Sequence, residues 1–414
     1  MRILIYGINY SPELTGIGKY TGEMGSWLAQ QGHTVEVITA LPYYPEWDIH
    51  AAYQGKGWHT ECVEGATVHR SPLYVPKSVS ALRRILHEFS FVAGSLPYWL
   101  NVFFGKRHDV VICPVPAFHL GFVPLLYSRL RGVPFVYHIQ DLQVDMAREL
   151  GMLKNQTFLS LLTKAERFIL DHCTAVSTIS EGMIQKIVAK GIPALKCVLF
   201  PNWVDRAFIR PLPVSQSLRA EFGLRDTDRV VLYSGSLGEK QGLDIILKVA
   251  YHLRHHKDLY FLIVGSGGAE QKLIEQAKAQ QLTQVKFSPL QPYEKLSALL
   301  ATADIHLVLQ RQSASDLVLP SKLTGILAAG GFSLVTAVPH TSLYDLVETH
   351  QVGIVIEPES ADALQTGIER ALATDLQPYR DNARHYAQTH LDKDVILKDF
   401  EGELKRLVNS TRKG

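Results

Sequence analysis

The sequence predicts an α/β protein of two doubly wound domains, because one opening pattern occurs in it twice. Near the start, Arg2–Tyr6 (RILIY) is a short apolar run leading into Gly7 and the loop Ser11–Gly18 (SPELTGIG). A helical pattern over Tyr20–Gln31 and a second apolar run, Thr34–Thr39 (TVEVIT), follow. In the second half, Arg229–Tyr233 (RVVLY) runs into Gly235–Gly242 (GSLGEKQG), a helical pattern over Leu243–His255 and the run Leu259–Val264 (LYFLIV). Strand, glycine-rich turn, helix, strand is the first unit of a doubly wound sheet. Two such units in 414 residues, 46% of them hydrophobic, predict two domains with a central cleft between them. A helix N-terminus on each side would suit anionic groups.

The remaining elements follow in order. Apolar runs at Val110–Cys113, Phe135–Gln140, Ala175–Ile179 and Cys197–Phe200 continue the first domain, which ends in Pro201-Asn202-Trp203-Val204-Asp205. Arg210–Thr227, with Pro211 and Pro213, reads as the crossover. The second domain adds Val285–Phe287, Ile305–Leu309, Phe332–Thr336 and Gly353–Ile356, and the tail from Leu364 to Leu407 is helical and amphipathic. The domains are therefore expected at 1–205 and 206–389, with the last helix, about 390–414, packing back on the first. The duplication is of fold type only; the halves do not align residue by residue.

Composition narrows the function. A net charge of +2 argues neither for nucleic acid nor for an acidic partner, and no nucleic acid is expected. Cys62, Cys113, Cys173 and Cys197 lack any C-x-x-C spacing and read as reduced thiols of a cytosolic protein. MRILIYGINY reads as a first core strand rather than a signal peptide, and no uncharged run reaches the ~20 residues of a membrane span. Phe89–Phe104 is nevertheless free of charge and interrupted by Pro97; Lys77 to Arg107 carries five cations (Lys77, Arg83, Arg84, Lys106, Arg107) against Glu88. Basic flanks around an aromatic, apolar body suit a helix lying in a bilayer interface, and a buried helix pair is the alternative.

Four segments carry chemistry. Gly265-Ser266-Gly267-Gly268 departs from the dinucleotide fingerprint, since it follows the second strand of its half and has Glu270 at the sixth position. It reads better as glycines that let backbone approach a nucleotide closely. In Gly235–Gly242, Lys240 sits in a glycine-flanked turn before a helix, where an ammonium and free amides suit a diphosphate. Asp316–Gly330 offers a second such place, with Pro320 and Ser321 as helix-start residues, amides from Val318 to Lys322, and the Lys322 charge. His138 lies near the C-terminal end of an apolar strand, the end where parallel sheets meet ligands, so a sugar contact and a satisfied core histidine are both open. Three patterns read as decoys: the Asp226-Thr227-Asp228 turn, the His252/His255/His256 helix face, and Ser177-Thr178-Ile179-Ser180 without a nucleophile elbow. No metal site is expected.

Together, SPELTGIGKY, HIQD, FPNWVD, YSGSLGEKQGL, VGSGG and LPSKLTGILAAGG stand in the order of the retaining sugar transferases of glycosyltransferase family 4, which this chain resembles over nearly its whole length. GINYSPELTGIGKYTGEM, PYYPEW, PLYVPK, LPSKLT and Glu357–Ser360 (EPES) are most similar to the colanic-acid biosynthesis fucosyltransferases within it. The resemblance implies GT-B architecture, two facing Rossmann-like domains. It implies that Gly16 and Gly18 shape a loop facing donor phosphate and acceptor, that His138 touches the transferring sugar, and that Lys240 meets the diphosphate. Gly235, Ser236, Gly265, Gly267, Leu290, Gln291, Leu319, Ser321 and Lys322 would line the donor site, with Leu290-Gln291 beside the base. Two departures stand out. Ser236 occupies the place of the usual arginine, and of the usual glutamate pair Asp316 lies one residue out of register while Gly325 replaces the second.

The expected activity is retaining transfer of a hexose, with fucose from GDP-fucose one candidate, to a lipid-linked oligosaccharide in exopolysaccharide biosynthesis. The nucleotide sugar is a co-substrate and no cofactor is expected. The protein would be cytoplasmic and peripheral on the inner face of the membrane. A nucleotide-sugar 2-epimerase and a non-catalytic nucleotide-sugar sensor share the donor site and are the alternatives.

Overall fold

A computed structural model describes residues 1–13, 16–78, 80–149, 155–238, 241–312 and 320–413. The chain forms two units, Met1–Pro201 with Asp394–Gly414, and Asn202–Lys393. The first crossing thus falls before Asn202 rather than after Asp205. The reason is local: Val204 forms a β-bridge with Asp392 and its N–H donates to Leu391 O, so Asn202–Asp205 belongs to the second unit. The second crossing falls at Lys393, later than the expected 390.

Unit 1 runs β1 (Arg2–Tyr6), α1 (Gly16–Gln30), β2 (Thr34–Ala40), β3 (His59–Val63), β4 (Ala66–Ser71), α2 (Ala81–Phe104), β5 (Val110–Val115), α3 (Phe122–Arg131), β6 (Phe135–Ile139), α4 (Gln143–Glu149), α5 (Gln156–His172), β7 (Ala175–Thr178), α6 (Glu181–Ala189) and β8 (Cys197–Leu199). Its sheet order is β3-β4-β2-β1-β5-β6-β7-β8. Central strands β5 and β6 are buried at every residue, which is why they read as unbroken apolar runs rather than alternating ones. Strand order reverses between β1 and β5, and the loops leaving that point flank a ligand crevice in sheets of this kind.

Two features of unit 1 go beyond or choose between the expectations. The β3–β4 hairpin is antiparallel, turned at Glu64 and Gly65 with φ of 46° and 90°, and was not anticipated. The segment around Pro97 is one continuous helix, α2, not a pair. Pro97 lies on its exposed side, where the carbonyl that loses a backbone partner to proline faces solvent rather than the core. Phe91, Ser95, Trp99 and Val102 face the core, while Leu82, Leu86, Phe89, Leu96, Leu100 and Phe104 form an exposed apolar stripe. Among the described residues no helix is long and apolar enough to cross a membrane.

Unit 2 runs β9 (Arg229–Ser234), α7 (Asp244–His252), β10 (Leu259–Val264), α8 (Glu270–Ala279), β11 (Val285–Ser288), α9 (Leu296–Leu300), β12 (Ile305–Val308), α10 (Lys322–Ala328), β13 (Ser333–Thr336), α11 (Ser342–His350), β14 (Gly353–Ile356), α12 (Ala361–Ala373) and α13 (Gln377–His390). Its parallel sheet has order β11-β10-β9-β12-β13-β14, with the reversal between β9 and β12. Side chains alternate across it: Val231, Tyr233, Phe261 and Ile263 pack under α7 and α12, while Val230, Leu232, Leu262 and Val264 pack on the opposite face. The last helix, α14 (Lys393–Lys413), lies with unit 1 from Asp394 onward. Trp27 Nε1 donates to Asp394 (2.9 Å), His33 meets Glu401 (2.6 Å), Phe400 stacks on Phe200 at 3.7 Å, and Arg412 donates to Asp109 (2.6 Å).

Candidate functional site

In unit 2 the loop after β9 and the loop after β10 are laced together. Gly235 N–H donates to Val264 O, Leu237 N–H to Ser266 O, and Ala269 N–H to Leu237 O. A Cβ on Gly265 would lie 1.8 Å from Gly235 O, and one on Gly267 would lie 2.5 Å from Leu237 O. These glycines therefore permit a close approach, and the atoms they approach are those of the neighbouring loop. Gly268 has nothing within 4 Å of its Cβ position.

Lys322 joins this loop pair. Its ammonium lies 3.6 Å from the centre of the Tyr233 ring, and a Cβ on Gly235 would be 3.3 Å from Lys322 Nζ. The Tyr233 hydroxyl donates to Ser236 O (2.7 Å), so Gly235, Ser236 and Lys322 share the C-terminal end of β9, next to the strand-order reversal. A cation at a strand end beside exposed turn backbone can hold a diphosphate. Ser321 stands at the N-cap position of α10, but its side chain makes no capping bond, and the seven-residue helix does not supply the expected cap. Leu290 and Gln291 follow β11, Leu290 exposed and Gln291 donating to Ser288 Oγ (3.0 Å). Lys240, Asp316 and Leu319 lie outside the described residues.

The decoys resolve into structure. Asp228 is 2% exposed and accepts from Arg225 through backbone and guanidinium, while the buried Arg219 gathers the carbonyls of Asp226, Asp228 and Thr302. Asp226-Thr227-Asp228 is a turn stapled by two arginines. His252 pairs with Gln365 and His255 with His252 O. Among the described residues no three metal-ligating side chains are gathered as a metal ion requires.

In unit 1, His138 sits one residue before the end of β6, 3% exposed. Gln140 Nε2 donates to His138 Nε2 (3.0 Å), leaving the ring proton on Nδ1, which faces Ser177 Oγ at 3.0 Å. Burial pushes its pKa down to about 3, so the imidazole is neutral. Both nitrogens are thus occupied within the unit, and a sugar hydroxyl must take the place of Gln140 to reach Nε2.

Gly16 adopts φ 58° at the start of α1, a left-handed conformation that favours glycine. Gly18, together with Gly22 and Gly25, makes room for the preceding loop. Cβ atoms there would lie 2.5 Å from Glu13, 2.8 Å from Ser11 and 2.3 Å from the Tyr10 hydroxyl, so the three clear one face of α1 on which the loop Tyr10–Glu13 lies. Two acids at this edge were missed from sequence. Glu13 is 2% exposed, and burial pushes its carboxyl up to about 7 against hydrogen bonds from Tyr43, Tyr44 and Asn9. Glu88, 7% exposed, is raised by burial against Arg84, and lies 4.0 Å from His119, whose burial lowers its pKa to about 4. The glycine spacing of α1 was the available signal for Glu13; nothing local marked Glu88.

Comparison with known proteins identifies the family. Residues 15–203 match the glycosyl transferase 4-like domain, and residues 214–390 match the glycosyl transferases group 1 domain. The chain is 44% identical over 412 residues, 98% of its length and 100% of the relative's, to WcaI of Escherichia coli K12, provisionally named a colanic acid biosynthesis glycosyl transferase. Its fold is similar to sucrose-phosphate synthase from Thermosynechococcus elongatus (TM-score 0.79, 16% identity, 99% and 100% of the two chains covered). It is also similar to Anabaena HepE in complex with UDP and glucose (TM-score 0.72, 15% identity, 98% and 100% covered). With two matching domains and a relative aligned from end to end, the chain belongs to the GT-B glycosyltransferases of family 4.

Proposed function

We propose that this protein transfers a hexose from a nucleotide diphosphate sugar to a lipid-linked saccharide, with retention of configuration, in the assembly of an exopolysaccharide. The observation that carries the reading is the Lys322 ammonium held over Tyr233 against Gly235 at the strand-order reversal of unit 2. HepE, a relative in fold, binds UDP and glucose, and WcaI supports an exopolysaccharide of the colanic acid kind, with GDP-fucose the first donor to test.

In this reading the C1–oxygen bond to the diphosphate breaks, the acceptor oxygen bonds to C1 from the same face, and the departing diphosphate takes the acceptor proton. Negative charge grows on the diphosphate, and Lys322 with Lys240 stabilises it. His138, with Gln140 displaced, orients the sugar through neutral Nε2. Transfer needs no divalent cation. The apolar stripe of α2, with Arg83, Arg84, Lys106 and Arg107 near its ends, rests unit 1 on an anionic bilayer, where the lipid-linked acceptor is found.

The test is incubation of the purified protein with labelled nucleotide sugars, membranes and excess chelator, followed by NMR of the product's anomeric carbon. Label in the lipid fraction with the donor's configuration is expected. Inverted product refutes retention, a changed nucleotide sugar without acceptor identifies an epimerase, and binding without turnover identifies a sensor.

A further inference from the structure

Glu13 takes no part in the chemistry above, yet it is built into the loop that follows β1. Its Oε1 accepts from the backbone N–H groups of Tyr43 (3.1 Å) and Tyr44 (3.0 Å), and its Oε2 accepts from Asn9 Nδ2 (2.9 Å). Three donors from the loops after β1 and β2 therefore converge on one buried carboxyl. Glycine at position 18 is what admits it, since a Cβ there would lie 2.5 Å from Oε2. Arg70, wholly buried, tightens the same junction by donating to Ser11 O (2.5 Å), Ala40 O (3.4 Å) and Glu61 (2.6 Å). The Tyr44 ring in turn lies 3.7 Å from where a Cβ on Gly16 would be. A carboxyl buried at this depth without a role would be costly, and an apolar side chain could not hold two amides from another loop.

We propose that Glu13 is a positioning residue that locks the start of α1, with Gly16 and Gly18, to the Tyr43–Tyr44 loop, and so fixes the surface of unit 1 against which the saccharide acceptor is held. The inference rests on the transferase reading for its second half. Glu13 touches neither sugar nor diphosphate; it acts through the two tyrosine amides and the helix start.

Glu13→Ala and Glu13→Gln, in the full chain, test it by three measurements. Glutamine keeps an oxygen for the two amides, and Asn9 can turn its own amide to meet the new NH₂. Glu13→Ala should raise the acceptor KM or lower kcat by about tenfold or more, and speed hydrogen exchange at the Tyr43 and Tyr44 amides by about tenfold or more. Its affinity for the nucleoside diphosphate, held by unit 2, should stay unchanged. Glu13→Gln should restore kcat, KM and exchange to near wild type. If Glu13→Ala does not fold, Glu13→Asp, shorter by one methylene, replaces it. A lower melting temperature with wild-type kcat, KM and amide exchange overturns the proposal, as does a Glu13→Gln protein as impaired as Glu13→Ala. A wild-type protein that transfers no sugar overturns the acceptor role together with the transferase reading, and the exchange rates then decide the lock alone.

Discussion

Replacing Gly265 by alanine separates a loop-packing role from a nucleotide-facing one, because Gly268 stands three residues away as its control. A methyl at Gly265 would lie 1.8 Å from Gly235 O, so the two loops must part by more than an ångström to restore even the tightest normal contact. Gly235 N–H to Val264 O (2.9 Å) and Gly265 N–H to Ser288 O (3.0 Å) hold the loops at their present spacing, and at least one must break. Overpacking costs about 1–3 kcal/mol and a lost buried hydrogen bond about 1 kcal/mol more, or about 2–4 kcal/mol together. For a unit of this size that lowers the melting temperature by roughly 10 °C. Gly268→Ala meets nothing within 4 Å and should be neutral. Differential scanning calorimetry reads both, and calorimetric titration with a nucleoside diphosphate reads the site, which should weaken in Gly265→Ala as Gly235 moves from Lys322. If Gly268→Ala abolishes nucleotide binding while Gly265→Ala binds and melts as wild type, the loop-packing explanation is refuted.

Glu36 accepts from Arg2 (2.7 Å), His108 (3.0 Å) and His69 (3.2 Å); burial works against its charge, but the bonds and charges of the two histidines outweigh it and hold the carboxyl well below the usual range. Its contribution is therefore present above the ordinary carboxylate pKa and lost on acidification, so Glu36→Gln should cost about 2 kcal/mol at pH 7. Urea titration should show that gap closing below about pH 4, and a gap that grows on acidification would contradict the assignment. His138→Ala should lower kcat by roughly 10²-fold and leave nucleoside diphosphate affinity intact, by steady-state kinetics and calorimetry; a destabilised but fully active variant would assign the residue to the core alone. Glutamine at Arg83, Arg84, Lys106 and Arg107 should release the protein from acidic liposomes in sedimentation, at about 1 kcal/mol per charge, without altering donor binding. Unchanged sedimentation would remove α2 from the membrane.

The parallel strands were readable in the sequence because burial on both faces leaves them as unbroken apolar runs, as in Val110–Val115 and Leu259–Val264. The β3–β4 hairpin was not, since its outer strand alternates half-buried with exposed residues and carries His59 and Glu61 on an edge. At Pro97 the sequence left one helix or a helix pair open, because it does not tell which side of a helix a proline occupies. Among site residues, Lys322 and His138 stood out as charges or imidazoles in apolar settings. Glu13 and Glu88 did not, because their significance comes from backbone amides and from side chains distant in sequence. Gly18 and Gly265 were legible as positions of close approach, and only coordinates reveal which protein atoms approach them.

The return of α14 to unit 1 makes unit 2 an insertion within unit 1 rather than its successor. On the ribosome, the strands of both sheets emerge before the helix that Trp27, His33 and Phe200 await. Unit 2 can complete its own core while unit 1 still lacks one wall, so the earlier half of the gene encodes the domain that finishes folding last. Severing the chain after residue 393 would leave unit 2 with nearly all its contacts and strip a helix from the other unit, so damage at the far C-terminus is registered near the N-terminus.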